Sequence, residues 1–68
     1  MIAILTIERF TTLNVSVRAY KEPHGPKDRD YVEVCAGTIV GVTSIHNDRE
    51  SLCELPGGRE VWIEEGYL

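Results

Sequence analysis

Sixty-eight residues, 43% hydrophobic and 26% charged, describe one small domain, 1–68, of ordinary globular composition and marginal core size. The formal charge of -4 lies wholly in the last third: five acidic residues balance five basic ones up to His46, and beyond it six acidic residues face only Arg49 and Arg59. That sign argues against direct DNA or RNA binding, and no apolar run approaches the roughly 18 residues of a membrane span.

The start, MIAILTIERF, lacks the basic region and cleavage site of a signal peptide, so a cytoplasmic location is expected. IAILTIE is apolar on both faces, as in a strand buried between layers or covered by a second subunit. Ile2, Ile4, Leu5 and Ile7 exceed what one face of a small barrel covers. A homodimer through this strand is one expectation, and a strand sandwiched within its own barrel is the other. Thr11-Thr12 interrupts the run. LNVSVRA follows with strict alternation, which predicts a half-buried strand with Leu13, Val15, Val17 and Ala19 facing in. The two strands are expected to form a hairpin around Arg9 to Thr12.

Tyr20 to Asp30 is the one long loop. Pro23 and Pro26 lack the amide hydrogen of a ladder, and Gly25 favours a turn. Its charge suits either a solvated mobile loop or a functional one. YVEVC resumes a strand with Val32 and Val34 facing in, and a turn at Cys35 to Thr38 follows. TIVGVTSI, ESLCEL and REVWI then form a meander, with HNDR and PGG as its turns. EEGYL closes the chain as a single turn.

At PGG, Pro56 suits the first central position of a type I turn, with Gly57 next and Gly58 left-handed in a bulged hairpin. That register sets Cys53 opposite Val61 and Leu52 opposite Trp62. Ser51, Cys53, Val61 and Ile63 then share one face, and Leu52, Glu54, Glu60 and Trp62 the other. A two-residue Gly-Gly turn would mix apolar with acidic, so the bulged form is preferred.

Cys35 and Cys53 stand alone in apolar strands, without the spacing of a zinc site. Both are expected to be buried, reduced and inert. No catalytic constellation is present: His24 lies in a Pro/Gly loop, and His46 lies in a turn with only Ser44 near it. Gly57-Gly58 belongs to a hairpin rather than a phosphate loop. A pocket of about 300 Å³ is hard to enclose in so small a barrel, so neither an enzyme nor a cofactor is expected.

AGTIVGV resembles the glycine turn and second strand of Src-homology-3-like barrels, and VWIEEGYL resembles the ending of the bacterial Src-homology-3 group. LNVSVRAY is similar to the opening strand, and the Pro-rich charged loop falls where the family's long first loop falls. The resemblance is strongest over 36–68. With the six short strands it sets the fold expectation: all-β, a small five- or six-stranded antiparallel Src-homology-3-like barrel. MIAILTIE is additional to the family's minimum. Only Tyr20 and Tyr67 match its aromatic groove positions, too few walls for a polyproline ligand.

Binding is the function class that remains. The expectation is a small non-enzymatic protein–protein interaction module that occupies a surface of a larger partner. Its size and lack of chemistry suit an inhibitor encoded by a bacteriophage or mobile element. The resemblance implies the alternative of a cell-wall (peptidoglycan) binding module, and a structural subunit of an assembly is the third reading. Trp62 and Leu52, flanked by Glu54 and Glu60 with Glu64 and Glu65 beyond, have the make-up of a contact site for a basic protein surface. The alternatives are that Trp62 closes the end of the core and that the acids only solvate the surface. Tyr20 and Tyr67 complete the candidate binding residues.

Overall fold

The computed structural model describes residues 6–23, 25 and 29–68. Among the described residues six strands form one antiparallel sheet: β1 (Ile7–Thr12), β2 (Val17–Tyr20), β3 (Tyr31–Val34), β4 (Ile39–His46), β5 (Glu50–Glu54) and β6 (Glu60–Glu64). A 3₁₀ turn, Glu65–Tyr67, follows β6. There is no α-helix among the described residues, and none of their helices is long and apolar enough to cross a membrane. The strand order is β1-β4-β5-β6-β2-β3.

The β5–β6 hairpin has the register that alternation predicts. Cys53 faces Val61 and Leu52 faces Trp62. Ser51, Cys53, Val61 and Ile63 are buried, while Leu52 and Trp62 are half-buried on the opposite face. The turn itself differs from the expected type I. Gly58 donates its N–H to the Leu55 carbonyl at 2.9 Å, and Gly57 has a φ of +96°. A left-handed residue directly after Pro56 makes this a type II turn, which only glycine enters without strain.

β1 does not form a hairpin with β2. It pairs with β4 instead, with Thr12 opposite Ile39 and Ile7 opposite Thr43. Thr11 and Thr12 belong to the strand rather than ending it. Gly41 makes room for this pairing: a Cβ there would lie 2.9 Å from Ile7 Cδ1. Of the four residues on which the homodimer expectation rested, Ile2, Ile4 and Leu5 lie outside the described residues, and Ile7 is half-buried against Gly41.

Leu13 is buried, but Val15 is exposed and β2 begins only at Val17. The chain from Leu13 to Ser16 is a crossing rather than a strand, so alternation there has no sheet to refer to. It runs beside the second crossing, at 35–38. Leu13 donates to the Thr38 carbonyl at 2.9 Å, and Gly37 donates to the Leu13 carbonyl at 2.7 Å. Each crossing joins strands four places apart in the sheet order. Flat, that separation is about 19 Å, at the limit of the roughly 18 Å that five extended residues span. The sheet is therefore bent, with one apolar face gathered inward. Val17, Ala19, Val34, Val40, Val42, Cys53, Val61 and Ile63 pack with Leu13 in one core.

Cys53 is fully buried in that core, and burial pushes its thiol up to about 11, against a smaller opposing influence of Arg9. Cys35, expected to be buried, is exposed. It sits one residue beyond β3, where the chain leaves the sheet to turn.

Between Val42 and His46 the β4–β5 register shifts. The buried Thr43 hydroxyl bridges the gap, donating to the Leu52 carbonyl at 2.8 Å and accepting from the Ile45 amide at 3.2 Å. The interrupted ladder is thus satisfied by a side chain.

Candidate functional site

The outward face of the sheet carries a transverse row with one residue from each of four neighbouring strands. Leu52 of β5 is opposite Trp62 of β6, Trp62 is opposite Tyr20 of β2, and Tyr20 is opposite Tyr31 of β3. The row follows from alternation, because the flanking positions Cys53, Val61 and Ala19 all point into the core. Three of the eight candidate residues, Leu52, Trp62 and Tyr20, are brought together here.

The row changes character along its length. Tyr20 is 5% exposed despite its outward position, whereas Tyr31 is 42% exposed. Arg29 is one reason. Its guanidinium lies over the Tyr20 ring, 3.7 Å from the centroid, and Tyr31 meets Tyr20 edge-on at 6.2 Å. Arg29 also donates to the Glu22 carbonyl at 3.0 Å and the Gly25 carbonyl at 2.9 Å, and it forms an ion pair with Glu50. This one side chain therefore ties the ends of the long loop, the aromatic row and β5 together. Arg18 repeats the motif, its guanidinium 4.6 Å from the Tyr31 centroid. Both are geometries in which a cation is attracted to the face of an aromatic ring.

Sequence reasoning missed Arg29, Tyr31, Glu50 and Arg18 as parts of this face. A signal was present. Tyr20 and Tyr31 bracket the loop symmetrically, and a hairpin reading would have paired them. Glu50 stood among the acids of the last third, and its burial beneath a loop arginine left no mark on spacing.

The acids divide into groups. Glu54 faces Glu60, and Glu50 faces Glu64, across the β5–β6 hairpin. Directly opposed like charges are unfavourable. Arg29 offsets the second pair through Glu50. No cation pairs with Glu54 or Glu60 among the described residues. Glu65 is held differently: its carboxylate accepts from the Ser51 hydroxyl at 2.9 Å, on the core-facing side of β5. It is therefore turned away from the row.

Glu64 and Tyr67 join Tyr20 in an open groove of roughly 340 Å³ that Ser16, Arg18 and Glu33 also line. The groove has about the volume expected to be hard to enclose, and it is a cleft rather than an enclosed cavity. Its floor is β2, and its far wall is the 3₁₀ turn after β6.

His46 is exposed at the end of β4, with Nδ1 3.4 Å from the Asn47 carbonyl oxygen, and Ser44 is exposed on the same strand. His24 lies outside the described residues. No group of three metal-ligating side chains occurs among the described residues.

Fold and face together define a small all-β domain, one antiparallel sheet with a cation–aromatic row on its outward side. Comparison with protein-family models, with curated proteins and with solved structures finds no match to this chain.

Proposed function

We propose that this chain is a small protein-interaction module that binds a basic surface of a larger protein through Leu52 and Trp62, the accessible part of the row that Tyr20 completes. The single observation that carries the reading is the register Leu52↔Trp62↔Tyr20, which sets the half-buried Leu52 and Trp62 side by side on the outward face, with the buried Tyr20 next to them. Trp62 is half-buried rather than part of the core cluster, so it offers contact area on a face already ordered by the fold. Rigid aromatic anchors surrounded by polar residues dominate the energetics of many interfaces. Glu54 and Glu60 at the margin would speed the approach of a basic partner, an effect that weakens with salt.

The same reading takes the bent sheet as a closed barrel of the Src-homology-3-like kind. The two short crossings and the single shared core support it. It further takes the module as a cytoplasmic protein that acts by occupying its partner's surface, in the manner of an inhibitor, without catalysis.

The test is retention by the immobilised protein from bacterial lysate, run beside retention on purified cell walls. A discrete protein held by the native chain, released by salt, and lost with Trp62→Ala and with Glu54→Lys/Glu60→Lys supports the reading. Binding to cell walls alone, or equal retention by all three proteins, overturns it.

A further inference from the structure

We propose that the groove between β2 and the 3₁₀ turn is a receptor for one guanidinium side chain of the partner, adjoining the Trp62 row at their shared residue Tyr20. The inference deepens the proposed protein-binding role and rests on it for the identity of the arginine's owner, but the groove can be tested alone.

The argument starts from the chain's three tyrosines. Two of them carry a guanidinium from this chain: Arg29 over Tyr20 at 3.7 Å and Arg18 over Tyr31 at 4.6 Å. The third, Tyr67, is 48% exposed on the groove wall. No arginine lies over it among the described residues. The backbone of its turn is held at both ends, where the Glu65 amide donates to the Arg49 carbonyl and the Leu68 amide donates to the Glu65 carbonyl, each at 2.9 Å. A half-exposed ring on an ordered backbone has only its side-chain torsions left to lose when a ligand covers it.

Charge selects the ligand. The groove is lined by the carboxylates of Glu33 and Glu64 and by one cation, Arg18. Glu33 stands directly opposite Arg18 on the β2–β3 ladder, and Arg18 is already placed over Tyr31. Glu64 is the surplus charge on the groove wall. Its cross-strand neighbour Glu50 is engaged by Arg29, so that cation is committed elsewhere. An incoming guanidinium can stack on Tyr67 while its N–H groups donate to Glu64, and Ser16 offers a hydroxyl at the floor. A planar fork suits a ring beside a carboxylate better than an ammonium does. An incoming carboxylate would meet Glu33 and Glu64, against Arg18 as the one lining cation among the described residues.

The test is a nuclear magnetic resonance titration of the whole chain with three blocked tripeptides, Gly-Arg-Gly, Gly-Lys-Gly and Gly-Glu-Gly, uncharged at both ends. The arginine peptide is expected to give saturable shifts at Ser16, Arg18, Glu64 and Tyr67 and to bind at least threefold more tightly than the lysine peptide. Tyr67→Ala and Glu64→Gln, both at exposed positions, are each expected to weaken it about tenfold. Preference for the glutamate peptide, shifts without saturation, or undiminished binding by Glu64→Gln overturns the proposal. A failed titration together with Trp62-dependent partner retention removes the groove and leaves the proposed function standing.

Discussion

Tyr20 stands directly opposite Trp62, and this pair is the seam where the β2–β3 ribbon joins the β4–β5–β6 meander. The residues offered to a partner are therefore also residues that complete the sheet. Tyr20 is the structural half of the pair, buried beneath Arg29, and Trp62 is the accessible half. Substitutions at the two positions should separate. Tyr20→Ala is expected to destabilise the fold by about 3 kcal/mol or more, as for a buried aromatic. Trp62→Ala should cost less stability and mainly weaken the partner complex. Urea unfolding of both variants checks the ranking.

Arg29→Ala should be among the most destabilising changes outside the core. It leaves the largely buried Glu50 carboxylate without its guanidinium and uncovers Tyr20, at an expected cost of about 3 kcal/mol. Adding Glu50→Gln to Arg29→Ala should recover part of that loss, because the side chain that lost its guanidinium is then neutral. Arg29→Lys should fall short of the native protein, since an ammonium cannot serve the Glu22 and Gly25 carbonyls, Glu50 and the ring together. Denaturant midpoints for these variants give the comparison.

Gly41→Ala should disturb the seat of β1. The added methyl would meet Ile7 Cδ1 at 2.9 Å and its Cγ2 at 3.2 Å, so Ile7 must move. A loss of about 1–3 kcal/mol is expected. In Ile7→Ala the same glycine change should cost clearly less, and a double-mutant cycle reads the difference as coupling between the two positions.

The two cysteines should behave oppositely. Cys35 is exposed and should label quickly in the native state, whereas Cys53 should label only on unfolding. Burial raises the Cys53 thiol from 9.0 to about 11. Between those values the unfolded chain has lost a proton that the folded chain keeps. Stability should therefore be complete below about pH 9, fall as pH rises, and level off above about 11. The loss should be on the order of 1–3 kcal/mol. Cys53→Ala should lower stability at neutral pH and flatten this alkaline slope relative to the native chain.

The β5–β6 hairpin was legible in the sequence because alternation decided what the turn left open. The PGG turn allowed two registers, and only one of them separated Cys53, Val61 and Ile63 from Glu54 and Glu60. The partner of β1 was not legible. Apolar residues on both of its faces identified no core side, and the seat for Ile7 is an absence of side chain at Gly41. Val15 misled because alternation continues through a crossing where no sheet gives it meaning. In the binding face, Trp62, Leu52 and Tyr20 could each be singled out, but their alignment depends on β2 lying beside β6, a long-range pairing. The arginines over the rings were hidden for the same reason.

Trp62 is the chain's one tryptophan, so a fluorinated tryptophan incorporated in this chain reports that position alone. Its fluorine resonance measures most directly whether Trp62 is the contact anchor. In the free protein the resonance should show a solvent isotope shift between water and heavy water. On addition of the protein retained from lysate it should move, and the isotope shift should vanish as the ring is covered. Binding of that protein with the resonance and its isotope shift unchanged would contradict the account.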